Sequence, residues 1–210
     1  MAFDFKKEYS EFYLPPREPG LIELPEMRFV AVRGKGDPND PSGAYQAALE
    51  LLYAVAYTLR MSPRAGRAIE GYFPYVVPPL EGLWEQPGAE GIDFARKADF
   101  QWTSMIRLPD FVTEADYLWA VEAAARKKGL DFSPVELLSY REGLCVQCMH
   151  LGSYDSEPET MRRMLEFTDA QGCAPDYAGG RRHHEIYLSD PRRTQIEKRK
   201  TVLRIPVRRK

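Results

Sequence analysis

Residues 179–193 form the densest polar stretch of the chain, and this stretch contains the side chains best suited to acid–base chemistry. Alternation along an extended strand puts His183, Glu185 and Tyr187 on one face and Ile186 on the other. A carboxylate enclosed by aromatic side chains is desolvated, which raises its pKa and strengthens it as a general base. Glu185 is therefore a candidate base, and Tyr187 can donate a hydrogen bond to an oxygen on which charge develops. The competing interpretation of Glu185 is an exposed strand residue in an ion pair with a nearby arginine.

Familiar catalytic and metal-binding motifs are missing from the sequence. The residue four positions after His184 is Leu188, so the H-E-x-x-H zinc motif is not formed. The glycine-rich phosphate and dinucleotide motifs and the G-x-S-x-G nucleophile motif are also absent. Cys145 and Cys148 lie three positions apart in a strand-like run, so their thiols point to opposite faces. We expect buried, reduced cysteines and no metal or organic cofactor, with a metal or redox role for this C-x-x-C pair as the alternative.

Composition and charge are those of a folded soluble protein. The 210 residues are 44% hydrophobic and 29% charged, and the net charge of -2 is too small to attract nucleic acid or an anionic membrane by itself. Residues 192–210 are rich in arginine and lysine, which can indicate a nucleic-acid-binding arm. Apolar residues alternate with polar ones over 202–207, however, and this favours a final strand. The sequence has neither a signal peptide core nor a membrane-spanning run, so we expect a cytoplasmic protein with no membrane or direct nucleic-acid partner.

The elements that must position these residues can be read from hydrophobic periodicity and from breaker residues. Residues 1–25 are rich in proline and aromatic residues without a sustained period, which predicts an extended lead-in. Thr113 with Asp116, and Ser156 with Glu159, have the spacing of helix capping boxes. The predicted elements are, in order, a strand over 27–33, a helix over 43–60 capped by Ser42, strands over 72–84 and 100–108, a helix over 113–129, a strand over 135–149, a helix from Ser156 to Gly172, and strands over 183–189 and 201–207.

The two halves of the chain repeat one order of elements. Each half runs strand, Gly-x-x-Asp turn, helix, strand, strand, with Gly34 and Gly152 at the equivalent turns. The sequence therefore predicts an α+β fold of tandem β-α-β-β units, about 26–112 and 140–208, related by pseudo-twofold symmetry. These units form an antiparallel sheet with helices on one side, within a single domain over 26–210. If the aliphatic face around Ile186 covers the helices, the Glu185 face of the sheet is the open one.

Three segments resemble a known family, the GyrI-like small-molecule-binding proteins, and in particular the stand-alone branch that includes cyclopropanoid cyclopropyl hydrolases. The segments are residues 75–84 (YVVPPLEGLW), 100–109 (FQWTSMIRLP) and 184–193 (HEIYLSDPRR). Together with the duplicated unit they cover most of residues 25–207. One position departs from the pattern, because Glu85 stands where a second tryptophan is expected after Trp84.

The resemblance implies a central ligand cleft between the two units, lined by aromatic residues and holding one buried glutamate, which matches Glu185. Trp84, Trp102, Tyr75 and His183 are then the expected ligand-binding residues, although any of these tryptophans can instead be a core residue. The implied ligand is a hydrophobic aromatic small molecule. In hydrolytic members the glutamate directs water onto a strained cyclopropane fused to a planar, DNA-alkylating system, which implies detoxification. The alternatives are a non-catalytic module that binds flat or cationic drugs, and a protein-interaction role such as gyrase inhibition.

Overall fold

Residues 2–88 and 96–210 are described in this computed structural model, and they form nine strands and five α-helices. The strands are β1 (Phe3–Asp4), β2 (Gly20–Lys35), β3 (Tyr75–Val76), β4 (Leu80–Glu85), β5 (Gln101–Arg107), β6 (Val135–Leu151), β7 (Cys173–Pro175), β8 (His183–Tyr187) and β9 (Lys200–Arg209). The helices are α1 (Phe5–Glu8), α2 (Ser10–Tyr13), α3 (Ala44–Arg60), α4 (Glu114–Lys128) and α5 (Glu157–Ala170). Within the described ranges, every helix is too short or too polar to cross a membrane.

The sheet shows the predicted duplication. Strands β2, β5 and β4 lie side by side in the first half, and β6, β9 and β8 lie side by side in the second. The halves are joined by the antiparallel pairs β2–β6 and β4–β8. Because β6 pairs with both β2 and β9, the six strands close into a ring, and β7 adds to β9. The α+β fold class predicted from the sequence is confirmed.

One face of the sheet carries the long helices. Helices α3 and α4 pack against the first half, where Leu52 of α3 and Ala120 of α4 share a buried cluster with Val30. Helix α5 packs against the second half, where Met164 contacts the cluster of Val146 and Leu203. We call this surface of the sheet the helix face.

The opposite face, here called the inner face, is covered by the part of the chain that precedes β2, which we call the N-terminal segment. Phe5 and Tyr13 pack in one cluster with Ile186 and Val202. Residues 1–25 were expected to be extended, but they include the short helices α1 and α2, and β2 begins at Gly20, well before the predicted start at 27. Their aromatic side chains account for the difference, because a turn of helix directs several of them onto one apolar surface. The boundary between lead-in and domain remains a prediction.

The position of Glu185 differs from the expected open face. Cross-strand partners share a face, and Glu185 lies opposite Gly82 and Leu203, which puts it on the helix face. Ile186 lies on the inner face under the N-terminal segment. The aliphatic side of β8 therefore does not cover the long helices, and Glu185 is only 8% exposed.

Buried charges hold the N-terminal segment on the inner face. Arg204 is 1% exposed, and its Nη1 lies 3.1 Å from Glu142 while its Nη2 donates to the Phe12 carbonyl at 2.6 Å. His184 places Nδ1 3.0 Å from Glu142 and Nε2 3.0 Å from Glu81. Burial alone would lower the pKa of His184, but Glu142 and then Glu81 outweigh it and raise that pKa to about 9. Burial would raise the pKa of Glu142, but His184 and Arg204 lower it to about 2.

Of the three predicted helix caps, the structure confirms one and shows two to be wrong. Thr113 and Asp116 form both hydrogen bonds of a capping box at α4. Ser42 does not cap α3, because its hydroxyl and amide donate to Asp40 instead. Ser156 makes no side-chain cap for α5, because its hydroxyl donates to the Ser153 carbonyl. Competing hydrogen bonds to nearby turn residues explain both corrections.

The predicted strand over 72–84 is divided into β3 and β4, since Pro78 and Pro79 between them have no amide hydrogen for a ladder. Cys145 packs with Leu24 and Phe29 on the inner face and Cys148 packs with Met164 of α5, so the two thiols do lie on opposite faces. All three cysteines are free and buried.

Candidate functional site

A cavity of about 920 Å³ lies on the helix face, between the two halves of the protein. Helix α3 of the first half contributes Tyr45, Leu49 and Tyr53 to its wall. Strand β8 and the start of α5 contribute residues of the second half, and the loop over 188–199 supplies part of its rim. A volume of this size can accept a drug-sized molecule.

Glu185 lies in this cavity with both carboxylate oxygens engaged. The Tyr187 hydroxyl donates to Oε2 at 2.7 Å, and His183 Nε2 lies 3.2 Å from Oε1. The Trp84 indole in turn donates to the Tyr187 hydroxyl oxygen at 2.9 Å. Burial and then the Glu185 charge raise the pKa of Tyr187 well above its usual value, so this phenol keeps its proton. Trp84, Tyr187 and His183 therefore orient Glu185 through a continuous chain of contacts.

The absence of a side chain at Gly82 makes room for this chain of contacts. Gly82 lies directly opposite Glu185 on β4. A Cβ atom there would lie 2.6 Å from Trp84 Nε1 and 3.3 Å from the Tyr187 hydroxyl. Trp84 and Tyr187 thus meet over a glycine, since any larger residue would push the indole away.

Aromatic rings form the wall next to Glu185. The Trp84 ring centroid lies 5.6 Å from that of Tyr45 and 5.6 Å from that of Phe100. Tyr154 approaches Tyr187 edge-on, at 5.9 Å between centroids. Such walls favour flat aromatic ligands, and their negative ring faces also attract cations.

Glu157 is a cavity residue that sequence reasoning missed. It is the first residue of α5, is 1% exposed, and neither carboxylate oxygen has a hydrogen-bond partner among the described residues. Burial, followed by the charges of Glu185 and Asp155, raises its pKa well above the usual range. A glutamate in the first helical turn is ordinary helix chemistry, so the sequence carries no signal for this role.

The predicted site residues divide into two groups. Glu185, Tyr187 and Trp84 line the cavity, and His183 contacts Glu185 without lining it. Trp102 and Tyr75 are not cavity-lining residues. The Trp102 ring lies over Gly34 and packs edge-on against Tyr45, at 5.1 Å between centroids. Tyr75 packs with the N-terminal aromatic cluster, 6.2 Å from Phe5. Their predicted ligand contacts have no support from this geometry.

Glu85, which stands where the family resemblance leads us to expect tryptophan, has a partner outside the cavity. Its carboxylate lies 2.5 Å from Arg182 Nε, which ties the end of β4 to the residue before β8. Glu85 is not a lining residue, so the cavity wall on this side is formed by Trp84 and Phe100.

One group of side chains in the described ranges has converging donor atoms of the kind that bind metals. The donor atoms of Glu157, His183 and Glu185 lie within 4.8 Å of one another. Two carboxylates and an imidazole are suitable ligands for a divalent transition metal. Two of the three, Glu185 and His183, already lie within hydrogen-bond distance of each other, so the same groups could also exchange a proton.

The fold and the cavity define a class of protein: a duplicated α+β sheet that holds a small-molecule site between its halves. Residues 17–208 match the family model of the GyrI-like small molecule binding domain, and the chain belongs to that family. The resemblance to the GyrI-like family seen in the sequence is thereby confirmed, and a small molecule is the ligand class of the domain.

Three solved structures from Listeria innocua are similar over their whole length. One, described as an uncharacterized conserved protein, is 47% identical with a TM-score of 0.92. Two others, each described as a hydrolase, are 45% and 46% identical with TM-scores of 0.88 and 0.90. Each alignment covers 99% of this chain and 100% of the other. None of the curated proteins compared is detectably similar to this chain.

Proposed function

We propose that the protein binds flat, hydrophobic aromatic molecules in the 920 Å³ cavity and hydrolyses those that carry a strained cyclopropane, using water activated by Glu185. The observation that carries this proposal is a buried carboxylate held in one orientation inside an aromatic cavity. A base preorganised in this way needs no rearrangement when it takes a proton from water. The two similar structures described as hydrolases support a hydrolytic reaction for this chain.

Each side chain around Glu185 has a separate task in this reaction. Trp84 and Tyr45 stack on the flat ligand and exclude water from its faces. The single hydroxyl hydrogen of Tyr187 points at Glu185, so we assign Tyr187 to positioning the base. His183 supports the other carboxylate oxygen. Water bound to Glu185 can then attack the strained carbon, with the proton moving to the carboxylate.

The biological role that follows is removal of DNA-alkylating compounds, since an opened ring no longer alkylates. We place this activity in the cytoplasm, because three free, buried thiols are typical of a reducing compartment. The chemistry that we propose uses protein side chains and water.

The second candidate is a non-catalytic module that sequesters cationic aromatic drugs. It is favoured by the presence of two carboxylates, Glu157 and Glu185, in one aromatic cavity. Charge attraction and stacking would bind such ligands without any covalent step.

The test compares the parent protein with Glu185→Gln on a cyclopropane-containing duocarmycin-type compound. Mass spectrometry should show that substoichiometric parent protein adds water to all of the compound. Glu185→Gln retains the shape of the side chain but lacks the base, so hydrolysis should fall by about 10²–10⁴-fold. Glu159→Gln is the matched control, because Glu159 lies on α5 with an exposed side chain outside the cavity.

Ligand binding separates the two candidates. Quenching of tryptophan fluorescence by a neutral planar ligand should survive Glu185→Gln, whereas a cationic ligand should bind more weakly. Binding without turnover by the parent would favour the sequestering module. Equal hydrolysis by the parent and by Glu185→Gln would exclude Glu185 as the base.

A further inference from the structure

Glu157 is a buried carboxyl group in the cavity that the proposed reaction does not yet use. It is 1% exposed, and neither of its oxygens has a hydrogen-bond partner among the described residues. A buried carboxylate without a partner is strongly unfavourable, whereas a neutral carboxyl in the same place costs much less. The geometry therefore favours a proton on Glu157 when the cavity holds no ligand.

The groups around Glu157 favour the same state. Its donor atoms lie within 4.8 Å of those of Glu185 and His183, and two buried carboxylates this close do not readily both ionise. The two groups differ in their hydrogen bonds, because Glu185 accepts one from the Tyr187 hydroxyl whereas Glu157 accepts none from the described residues. The titratable groups on the elements around Glu157 are Glu185, His183 and Tyr187 on β8, Asp155 and Tyr154 before α5, Tyr45 on α3, Lys97 before β5, which pairs with Asp155, and Arg199 on the rim. Burial, then Glu185, then Asp155, all raise the pKa of Glu157.

We propose that Glu157 is the proton donor of this site and that it works as a pair with Glu185. This inference rests on the proposed hydrolysis and assigns its missing acid. Ring opening moves an electron pair through the conjugated system onto the ligand's carbonyl oxygen, which must gain a proton. Tyr187 cannot readily supply that proton, since its hydrogen is committed to Glu185. Glu157 has an uncommitted carboxyl group that lines the same cavity.

The proposed step balances in atoms and protons. The oxygen of water forms a bond to the cyclopropane carbon, and the carbon–carbon bond of the strained ring breaks. Glu185 takes a proton from the water, while Glu157 gives its proton to the carbonyl oxygen, which becomes a phenol. The pair begins with one proton on Glu157 and ends with one proton on Glu185. Transfer between these neighbouring carboxyl groups restores the starting state.

The first experiment measures hydrolysis of the duocarmycin-type compound by Glu157→Gln, with Glu159→Gln as the control on the same helix. Glutamine resembles a neutral carboxyl in shape but cannot release a proton of comparable acidity. Hydrolysis should fall by about 10²–10⁴-fold, with binding of a neutral planar ligand unchanged. The parent rate should also decline as pH rises through the pKa of the pair, and Glu157→Gln should lack this alkaline decline.

The second experiment locates the proton without any turnover. Infrared spectroscopy of the parent at neutral pH should show the carbonyl band of a buried protonated carboxyl, and Glu157→Gln should lack that band. Glu157→Met serves as a second variant of similar length. Both variants should fold at least as well as the parent, since each removes an unpaired buried acid.

The outcomes separate the two proposals. Full hydrolysis by Glu157→Gln, or a parent spectrum without the band, would overturn the donor role and leave the base role of Glu185 in place. A parent protein that hydrolyses nothing would overturn both. Stoichiometric Zn²⁺ binding that is lost in Glu157→Gln would also overturn the donor role, because the three converging side chains would then be a metal site.

Discussion

Replacing Glu142 by glutamine should destabilise the protein, because Glu142 is the shared partner of two buried cations. The carboxylate is 2% exposed, lies 3.0 Å from His184 Nδ1 and accepts from Arg204 Nη1 at 3.1 Å. Removing one partner of a buried ion pair costs about 3–5 kcal/mol, since the remaining charge stays buried without compensation. Glu142→Gln should therefore lower the free energy of unfolding by that amount.

The pH dependence of the free energy of unfolding gives a second measure of how much the contact between Glu142 and His184 contributes. The pKa of His184 rises from 6.5 to about 9 on folding, which corresponds to about 3 kcal/mol at about 1.4 kcal/mol per tenfold change in proton affinity. Because the folded-state pKa is the higher one, this stabilisation is complete below pH 6.5 and is lost as pH rises to about 9. The pKa of Glu142 falls from 4.5 to about 2, so its contribution is complete above pH 4.5 and is lost as pH falls to about 2.

Urea unfolding at a series of pH values measures both effects. From the contributions of Glu142 and His184 alone, the parent should be most stable between about pH 4.5 and 6.5. Glu142→Gln should be less stable throughout, with a much smaller decline from pH 6.5 to 9, because Glu142 is the main group that raises the pKa of His184. Glu136→Gln is the matched control on the same strand, since Glu136 pairs with Arg33 at the surface and should contribute about 0–1 kcal/mol. Equal stability of the two variants would refute this account of the buried network.

Three further perturbations test the fold and the cavity. Gly82→Ala should weaken binding of a neutral planar ligand, measured by fluorescence quenching, because its Cβ would displace the Trp84 indole, whereas Gly20→Ala has open space around it and should bind normally. Trp102→Ala should lower the free energy of unfolding by about 3–5 kcal/mol as a core substitution, and a loss of ligand affinity with unchanged stability would contradict that position. Deletion of residues 201–208 should abolish the folded circular dichroism spectrum, because β9 pairs with three strands. A truncated protein that stayed folded but lost salt-sensitive DNA binding would show instead that this segment is a DNA-binding arm.

Much of the fold was predictable because it depends on local patterns. Alternation alone places Glu185 and Tyr187 on one face of β8, since side chains of a strand alternate regardless of what covers them. The capping box of Thr113 and Asp116 involves residues only three positions apart and formed as predicted, whereas Ser156, with the same spacing to Glu159, donates to the Ser153 carbonyl instead. The duplicated order of elements likewise required only the sequence of each half.

The composition of the cavity was decided by tertiary structure. Whether the Glu185 face turned toward solvent or toward the long helices depended on which apolar surface covered Ile186, and Phe5 and Tyr13 of the distant N-terminal segment do so. Trp84 reaches the cavity and Trp102 remains in the core, although both are buried tryptophans on adjacent strands.

Glu157 is the clearest example of a cavity residue that only the tertiary structure reveals. Its sequence context is that of an ordinary first-turn glutamate, and it comes close to Glu185 only because α5 packs across the second half of the sheet. Local sequence thus determined which faces and elements exist, through steric and hydrogen-bonding rules that act over a few residues. Strand pairing and helix packing, which act between residues far apart in the chain, determined which side chains share the cavity and how burial changes their proton affinities.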